Sequence, residues 1–585
     1  MTTNWKPIIR MGLLAGIITL YMAVVGMLES FSEREVIRDF VTLGQIMLVF
    51  ASITAGYLAT RRLSDAQNPL RLLVSGAIVG LMSSLPLLVL VLLASQLELR
   101  DILVNVTRDL IRILTFDQES LLTGGLMLLL VFTAAGTVGA LIRSISPRLR
   151  QSLIFGVAWV LGIGILSELV QQILQQVFDR DALRVVFIRD ALKPEAALAI
   201  FVIAAVLDYL WLSQGKVLRS RLTPTAPGPQ RNLRYGGFAL LALLLLVLPW
   251  LVGTATSDVL TSVGLYILMG LGLNIAVGLA GLLDLGYVTN FAVGAYVMGV
   301  LTSTGPLGID AKTGLAIFNF WLVLPVSLIV AMFTGLILAV PVLRMRGDYL
   351  AIATLGFGEI IRLLAISDWL KPVIGGAQGI LFIPKPEFLG VRLLPQAEIF
   401  PLILNDPQQI YYVILAACLF AIFVSTRLNN SRTGRQWMAI REDEDVAAAM
   451  GINTAKAKLL AFTLSAATGG LAGGIFASKL GTIFPNSFSL LVSVNVLSLI
   501  IIGGMGSIPG IVIGAFVLIG LPEILREFDQ FRLLLYGALL IVMMLARPEG
   551  LWPSAIHRRE MHQTEDDSKP IAEPPRDATV VVAGD

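Results

Sequence analysis

The segment "NVLSLIIIGGMGSIPGIVIGA", Asn495–Ala515, decides the fold class of this chain. It contains no Asp, Glu, Lys or Arg, and it is long enough to occupy the hydrocarbon core of a bilayer, which a helix crosses with about 17 to 25 apolar residues. Its apolar run is interrupted by "GGMG" at Gly503–Gly506 and then by Pro509. We therefore expect two transmembrane helices that meet at a discontinuity after Ile502.

The composition of the whole chain agrees with that segment. Of 585 residues, 56% are hydrophobic and 14% are charged, and the mean hydropathy is +0.83. Soluble proteins usually carry about 25% charged residues, so the composition indicates a polytopic membrane protein. The formal net charge of +3 is too close to neutral to indicate nucleic acid as a partner.

Side chains suited to catalysis or metal binding are scarce. The single cysteine, Cys418, lies in an apolar run, and the only two histidines, His557 and His562, lie in the polar tail. These counts exclude a disulfide framework, cysteine metal sites and histidine-dependent triads from the apolar body of the chain. We expect no metal and no enzymatic activity.

Hydrophobic segments of spanning length recur along the chain and predict an all-α fold, a polytopic transmembrane helical bundle of about sixteen spans. Six lie in the N-terminal part, near residues 8–27, 40–60, 70–97, 121–141, 151–170 and 196–212. About ten follow, near residues 235–252, 258–280, 288–303, 319–342, 349–366, 410–426, 459–478, 490–505, 509–524 and 533–546.

The short loops indicate orientation and organisation. The N-terminus and the loops after the second and fourth spans are basic with few acids, and Lys and Arg favour the cytoplasmic side. We therefore expect a multi-pass protein of the cell's inner or plasma membrane with both termini in the cytoplasm. The expected regions are a six-span region of unknown role at 1–215, a basic cytoplasmic linker at 216–234, the later spans at 235–550 and a disordered cytoplasmic tail at 551–585.

One stretch, "RQWMAIREDEDVAAAMGINTAKAKLL" at Arg435–Leu460, is polar among apolar neighbours. Its apolar residues recur at near-helical spacing, a charged patch covers residues 441–445, and Gly451 supplies a helix stop. The pattern is typical of an amphipathic helix on lipid headgroups or of a helix that docks into a protein groove. The acidic patch favours the groove, because cytoplasmic headgroups are anionic. The apolar positions are Trp437, Ile440, Val446, Ala447 and Met450.

Within this stretch, "DVAAAMGI" is similar to the EAA loop of ABC importer permeases, with Asp445 where that motif often has Glu. Together with four longer stretches, in order and spacing, it resembles the LivM type of branched-chain amino acid permease. The resemblance identifies roughly residues 235–550 as an ABC importer permease domain and leaves the six N-terminal spans outside it. The four stretches are "GLNIAVGLAGLLDLGYV" (272–288), "RMRGDYLAIATLGFGEIIRL" (344–363), "GGAQGI" (375–380) and the opening segment at 495–515.

The resemblance implies that the chain is the membrane permease subunit of an ATP-driven importer of branched-chain amino acids. The implied partners are two ATPase subunits, a second permease subunit of the LivH type, an extracytoplasmic substrate-binding protein and membrane lipid. No G-x-x-x-x-G-K-[ST] motif occurs in the chain, so we expect it to bind no cofactor and its partner subunits to use the ATP. The residues expected to couple to the ATPase are Glu444, Asp445, Ala447, Ala448 and Gly451.

Polar residues and glycines inside the apolar part are interpreted as substrate-path or gating residues. Glu359 and Arg362 lie in a span where an isolated ion costs roughly 2.5 to 3.5 kcal/mol or more, so a structural pair on one helix face is the alternative. Asp284 either caps or breaks a helix near the path or meets solvent at a helix end. The path and gating residues expected are Asn274, Asp284, Glu359, Arg362, Gly375 and Gly376.

A second set of glycines recurs every four residues, at Gly506, Gly510 and Gly514. Small residues at this interval let helices approach closely in lipid, where no hydrophobic force drives helices together. We interpret them as helix-packing residues, with a gating hinge as the alternative.

Other functions are open from the sequence. A urea or short-amide ABC importer shares this permease superfamily, but its members more often resemble "LSLGHG" where this chain has "LDLGYV" at 283–288. A secondary transporter would show interrupted helices in two repeated halves, and no convincing repeat relates the two halves. A sensor or scaffold role stays open for the N-terminal spans, in which no motif carries chemistry.

Overall fold

The computed structural model describes residues 5–61, 69–118, 120–175, 178–222, 227–309, 312, 318–342, 345, 347–386, 396–399, 402–524, 531–547 and 549–553. The chain divides into two compact units, Met1–Leu245 and Leu246–Asp585. Residues 223–226 of the predicted linker lie outside the described residues, as does the predicted tail from residue 554 onward.

The predicted fold class is confirmed, since both units are built from apolar helices. Twelve helices among the described residues are long and apolar enough to cross a membrane, and Tyr287–Thr302 and Ile508–Glu523 are shorter apolar helices. The predicted count of sixteen spans is not confirmed. The segments expected near 235–252 and 258–280 correspond to two helical stretches that meet at Gly253, where non-helical backbone with φ +77° interrupts Pro227–Asn274.

In the first unit, six long helices form three hairpins of neighbours in the chain, and the first two hairpins pack against each other, the first helix against the third and the second helix against the fourth. Their contacts are close: a Cβ added at Gly139 would lie 2.0 Å from the carbonyl oxygen of Ile53, and the Ser83 hydroxyl donates to Ser52 at 2.9 Å. Small residues at contacts of this kind hold helices together in lipid. The six helices are Lys6–Val24, Leu43–Arg61, Pro69–Gln96, Leu121–Leu141, Pro147–Ile165 and Pro194–Leu222.

Each hairpin of the first unit turns through a short segment with left-handed backbone, at Asp39, Asp117 and Arg189 respectively. A small four-stranded sheet joins the first turn to the third, where Glu35–Ile37 runs parallel to Ala191–Leu192. The sheet is completed by Val41–Thr42 and Phe187–Ile188, and the short helices of this unit are Met27–Ser32, Leu99–Asp101, Arg108–Leu114, Ile142–Ser144, Ser167–Leu174 and Arg180–Val186.

The second unit is centred on three helices in mutual contact, Tyr287–Thr302, Phe320–Val342 and Thr454–Leu480. A Cβ added at Gly473 would lie 1.9 Å from the carbonyl oxygen of Phe291, so backbone meets backbone at this contact. The other helices and turns in chain order are the part of Pro227–Asn274 from Leu246 onward, Ile275–Leu279, Asp348–Ile366, Lys371–Ile374, Gly376–Gln378, Asp406–Asn429, Arg432–Glu442, Glu444–Ala449, Pro485–Phe488, Leu490–Gly503, Ile508–Ala515, Phe516–Gly520, Leu521–Ile524 and Arg532–Ala546. Its two strands, Gln396–Ile399 and Leu402–Asn405, form a hairpin.

Candidate functional site

One span of the second unit is interrupted. The helix that ends at Asn274 widens into a π-helical turn at Ile275–Leu279, residues 280–286 follow without regular helix, and a new helix begins at Tyr287. We call residues 275–286 the break. Irregular backbone inside a bilayer requires hydrogen-bond partners from the protein, and side chains supply them here.

Two side chains satisfy the backbone of the break directly. The Asp284 carboxylate accepts a hydrogen bond from the Gly286 N–H at 2.9 Å, and the Thr354 hydroxyl accepts one from the Leu285 N–H at 3.0 Å. Asp284 is only 3% exposed, so it does not meet solvent at a helix end. It caps irregular backbone instead, which is the other arrangement expected from its position before Gly286.

The break is also tied by hydrogen bonds to the interrupted segment at residues 490–515. The amide oxygen of Asn274 accepts a hydrogen bond from the Gly506 N–H at 2.9 Å. The Ser493 hydroxyl accepts one from the Val288 N–H, just after the break, at 3.0 Å. Two interrupted segments of the chain therefore share a hydrogen-bonded junction.

The three glycines of the second predicted set do not have one role in this structure. Gly506 lies in the turn between two helices with φ +78°, so it serves the turn and not a helix contact. A Cβ added at Gly510 would lie 2.4 Å from the carbonyl oxygen of Gly503, and one at Gly514 would lie 2.4 Å from that of Leu499. Gly510 and Gly514 thus lie where the two helices approach closely.

A small pocket lies beside the break and opens to the surroundings. Its wall is mostly apolar. Asn290 is a polar exception: it is 5% exposed, and its amide oxygen has no hydrogen-bond partner. Among the described residues, no three His, Cys, Asp or Glu side chains are placed to hold a metal ion. The pocket is lined by Asp284, Gly286, Asn290, Gly335, Leu338, Ala339, Thr354, Phe357 and Phe462.

Glu359 and Arg362 form the expected pair on one face of the helix Asp348–Ile366. The Arg362 Nε donates to both carboxylate oxygens of Glu359 at 3.0 Å, and its Nη2 donates to one of them as well. The Arg362 side chain is 26% exposed and that of Glu359 is 44% exposed. The two charges therefore satisfy each other, and neither is among the residues that line the pocket.

Gly375 and Gly376 lie beyond the far end of that helix. They form a turn with φ +83° and +59°, and a Cβ added at Gly375 would lie 2.0 Å from the carbonyl oxygen of Gly379. Thr354, which contacts the break, lies near the helix start, and the helix end at Ile366 is about 18 Å farther along at 1.5 Å per residue. The structure therefore does not bring the two glycines together with Asp284.

The polar stretch after residue 430 forms two short helices, Arg432–Glu442 and Glu444–Ala449, and not one amphipathic helix. The chain is extended at Asp443, whose carboxylate accepts hydrogen bonds from the N–H groups of Asp445 and Val446 at 2.9 and 3.0 Å. An aspartate in this N-cap position stabilises a helix start. The second helix is thus fixed in direction from its first turn.

Gly451 ends the second helix as the sequence predicts. Its φ is +84°, its N–H bonds to the Ala448 carbonyl at 3.0 Å, and the next N–H, that of Ile452, bonds to the Ala447 carbonyl at 3.1 Å. This pair of bonds is the Schellman motif, which favours glycine at the left-handed position. Both ends of the helix Glu444–Ala449 are therefore capped.

The expected apolar stripe is split between two environments. Trp437 and Ala447 are 0% and 3% exposed, whereas Val446 and Met450 are 59% and 79% exposed. Ala447 therefore packs inside this chain and is not available to a partner, because the extended backbone at Asp443 turns the second helix relative to the first. Ala448, Asp445 and Gly451 lie on the exposed part of the segment.

Two buried polar contacts fasten these helices to the start of the helix Thr454–Leu480. The Glu444 carboxylate pairs with Lys458 Nζ at 2.5 Å, where the lysine side chain is 5% exposed. The Trp437 indole N–H donates to the Ala457 carbonyl at 2.8 Å. Glu444 thus holds the segment to its own chain.

Several residues at these sites were not predicted from the sequence. Thr354 and Ser493 cap the break from other helices, and Asn290 faces it with an unpaired oxygen. Asn290 is the one amide in the apolar helix Tyr287–Thr302, and that isolation was the available signal. Serine and threonine recur in many spans, so no local pattern distinguishes Thr354 or Ser493.

The sequence is similar to those of known membrane transport proteins. A model of the family described as "Branched-chain amino acid transport system / permease component" matches residues 255–546. The high-affinity branched-chain amino acid transport system permease protein LivM of Escherichia coli K12 is 39% identical over 328 residues, which cover 54% of this chain and 74% of the relative.

More distant relatives include two types of permease component. The LivH permease protein of Salmonella typhimurium is 25% identical over 291 residues, covering 49% of this chain and 90% of that protein. A probable LivM protein of Methanocaldococcus jannaschii is 25% identical over 336 residues, covering 51% of this chain and 93% of that protein. No solved structure matches this chain.

Proposed function

This chain belongs to the family of permease components of branched-chain amino acid transport systems, and on that premise we propose that it carries leucine, isoleucine or valine through the membrane as one subunit of an ATP-driven importer. The observation that carries the proposal is the 39% identity to LivM over 74% of that relative's length. Twelve helices among the described residues that are long and apolar enough to cross a membrane support it, as does the short capped helix at Glu444–Ala449.

In this proposal the energy comes from other subunits. The partners are two ATPase subunits, a second permease of the LivH type and an extracytoplasmic substrate-binding protein, with both termini of this chain in the cytoplasm. The chain has no G-x-x-x-x-G-K-[ST] phosphate-binding loop, so ATP binds the partners and this chain binds no cofactor.

The contact with the ATPase is the exposed side of the helix Glu444–Ala449. Val446 and Met450 project from it at 59% and 79% exposure, and the small Ala448 lies between them in sequence. Apolar side chains this exposed on a short helix fit a hydrophobic groove of a partner protein. Because both helix ends are capped and Glu444 is paired to Lys458, the helix moves as a rigid body when its partner moves.

The substrate path is proposed to run beside the break, where Asn274 and Asp284 lie. Glu359 and Arg362 on the helix Asp348–Ile366, and Gly375 and Gly376 beyond its end, are proposed as path or gating residues away from the break. Interrupted helices are a recurring way to place backbone groups near a transported solute. The junction between Asn274 and Gly506 and the pocket beside Asp284 are the features that support this part of the proposal.

The docking assignment is tested by Ala448→Arg in the assembled transporter. We expect a bulky charged side chain at this position to release the ATPase and abolish uptake, while the permease stays folded in the membrane. Ala455→Arg is the matched control, because Ala455 is also an exposed alanine but lies in the next helix. Normal assembly and uptake in the Ala448 variant would contradict the assignment.

Substrate choice is tested by uptake into vesicles that contain the reconstituted transporter. We expect labelled leucine to be taken up with ATP and to be displaced by isoleucine and valine. Uptake of urea without competition from leucine would overturn this part of the proposal and favour the urea or short-amide importer instead.

A further inference from the structure

The side chain of Arg441 connects the two sites described above. It is the penultimate residue of the helix Arg432–Glu442, and its guanidinium Nη1 donates to the Gly278 carbonyl, inside the π-helical turn of the break, at 2.8 Å. Among the described residues it has no carboxylate partner within ion-pair distance. Its hydrogen bond therefore joins the polar helices to the break and to nothing else.

We propose that Arg441 is a positioning residue that transmits movement of the helix Glu444–Ala449 to the break, and this inference rests on the proposed docking of that helix to an ATPase. The electrostatics suit the contact. Gly278 lies at the C-terminal end of a helix, where carbonyl groups lack helical partners and carry partial negative charge. A guanidinium is the side chain best able to satisfy them without losing its own charge.

The contact is also steric. Gly281, in the break, has φ +69°, and a Cβ added there would lie 2.9 Å from Cγ and 3.2 Å from Cα of Arg441. The backbone at Gly281 therefore packs against the aliphatic part of the Arg441 side chain, while the Gly278 carbonyl accepts a hydrogen bond from its guanidinium. A displacement of Arg441 in either direction has to displace the break as well.

The backbone of Arg441 is also fixed in place. It lies two residues before Asp443, which caps the helix Glu444–Ala449. One buried apolar cluster joins Trp437 and Ala447 of the two short helices to Ile275 and Leu279 of the break. Close-packed interiors pass on displacements and do not absorb them, so force applied to Val446 or Met450 reaches Gly278 through this cluster and through Arg441.

The break in turn reaches the second interrupted segment through the bond between Asn274 and Gly506. In this proposal the π-helical turn changes state by shifting its backbone hydrogen bonds from the i+5 to the i+4 pattern, and single π-helical turns are frequent at functional sites. Transmission requires such a two-state element. The order of transmission is thus the docking helix, Arg441, the break and then the turn at Gly506.

The experiment uses the assembled transporter with Arg441→Met, which keeps the stem and removes the donor. We expect uptake to fall at least about tenfold, as loss of one charge-assisted hydrogen bond allows, while the amount of bound ATPase and its basal hydrolysis are unchanged. Arg435→Met is the control, because Arg435 is exposed on the same helix and donates only to the Asn430 carbonyl at 3.3 Å.

Hydrogen exchange distinguishes transmission from a merely structural role. In the unmodified transporter, a non-hydrolysable ATP analogue should change amide exchange both at 444–450 and at 275–286, and in Arg441→Met only the change at 444–450 should persist. Arg441→Lys, which keeps a charge and a donor, should recover part of the uptake.

Three results would overturn the proposal. They are normal uptake in Arg441→Met, a change in amide exchange at 275–286 in that variant as large as in the unmodified transporter, or uptake in Arg441→Lys no higher than in Arg441→Met. Failure of the proposed function looks different. If the analogue alters neither segment in the unmodified transporter, the docking assignment is wrong and the inference falls with it. A response at 444–450 alone leaves the docking intact and overturns the role of Arg441.

Discussion

Buried polar groups are treated differently in the two units. In Met1–Leu245, Ser83 donates to Ser52 and Ser152 donates to Asp208, so hydroxyl groups inside the bundle are paired. In Leu246–Asp585, most buried polar atoms of the central helices have no partner. Among the described residues, six buried side-chain atoms have neither a hydrogen-bond nor an ion-pair partner, and all six are in the second unit, on Thr289, Asn290, Tyr296, Ser327, Ser465 and Ser478. Glu35 Oε2 in the first unit is ion-paired with Arg38 Nη1 at 3.0 Å.

The backbone shows the same contrast. In the described parts of the chain, both π-helical turns, Ile275–Leu279 and Phe516–Gly520, lie in the second unit, and so does the kink at Gly253. Unpaired groups and interrupted helices cost stability and persist where a protein changes conformation or meets a ligand. We therefore expect substitutions in the second unit to affect transport more than comparable substitutions in the first.

The largest difference in uptake is expected when a glycine at a backbone-to-backbone contact is replaced by valine in each unit. Gly473→Val should abolish uptake, because a Cβ there would lie 1.9 Å from the Phe291 carbonyl oxygen at the centre of the second unit. Gly139→Val, whose Cβ would lie 2.0 Å from the Ile53 carbonyl oxygen, should disturb the first unit while a substantial part of the uptake persists. Vesicle uptake normalised to inserted protein measures both.

Equal and complete loss of uptake in the two glycine variants would contradict the contrast. It would show that the packing of the first unit is as necessary for transport as that of the second.

A smaller effect on uptake is expected when one threonine hydroxyl is removed from each unit. Thr354→Val should reduce uptake about tenfold, because the buried N–H of Leu285 loses its acceptor, and an unsatisfied buried group costs about 1 to 3 kcal/mol. Thr133→Val should be nearly neutral, since Thr133 only donates to the Leu129 carbonyl of its own helix. Transport rates of the two variants, measured side by side, check this prediction. A loss in Thr133→Val as large as that in Thr354→Val would remove the special role of the break.

The sequence predicts the helical fold because the hydropathy of each segment depends only on the residues within that segment. It also predicts the stop at Gly451 and the pair of Glu359 with Arg362, since both depend on residues a few positions apart. The family could be identified for the same reason: its motifs are continuous stretches, each read within one segment of the chain.

What the sequence did not show depends on neighbours far along the chain. Ala447 looks like a residue for a partner until Trp437 and the helix start at 454 are placed around it. Gly506 fits a four-residue helix pattern, yet it lies in a turn where its N–H is bonded to Asn274. Arg441 appears as one charge of a polar patch, and only the fold places Gly278 beside it.

A still smaller effect on uptake is expected when one unpaired and one paired buried polar group are removed, one from each unit. Asn290→Leu removes an unpaired buried oxygen, so the fold should be as stable as before or more so, while uptake falls several-fold because the pocket loses a polar member. Ser83→Ala should do the reverse: it removes a paired hydroxyl at a cost of about 1 kcal/mol and leaves uptake unchanged. Thermal unfolding in detergent and vesicle uptake give the two readouts. A destabilised Asn290→Leu with normal uptake would make that oxygen structural.

The smallest change in transport is expected from the largest change in sequence, a chain that begins near Pro227. It lacks the six long helices of the first unit and keeps residues 255–546, which the family model matches. Because an even number of spans is removed, the span that begins near Gly236 still begins on the original side, behind Arg231 and Arg234, and basic flanks favour the cytoplasm. We therefore expect native insertion and uptake within a few-fold of the full chain. Complementation of an uptake-deficient cell, with ATPase binding measured in parallel, tests this. Complete loss of uptake with normal insertion and ATPase binding would place the first unit in the translocation machinery, and the paired hydroxyls of its bundle would then have to be explained as part of a moving structure.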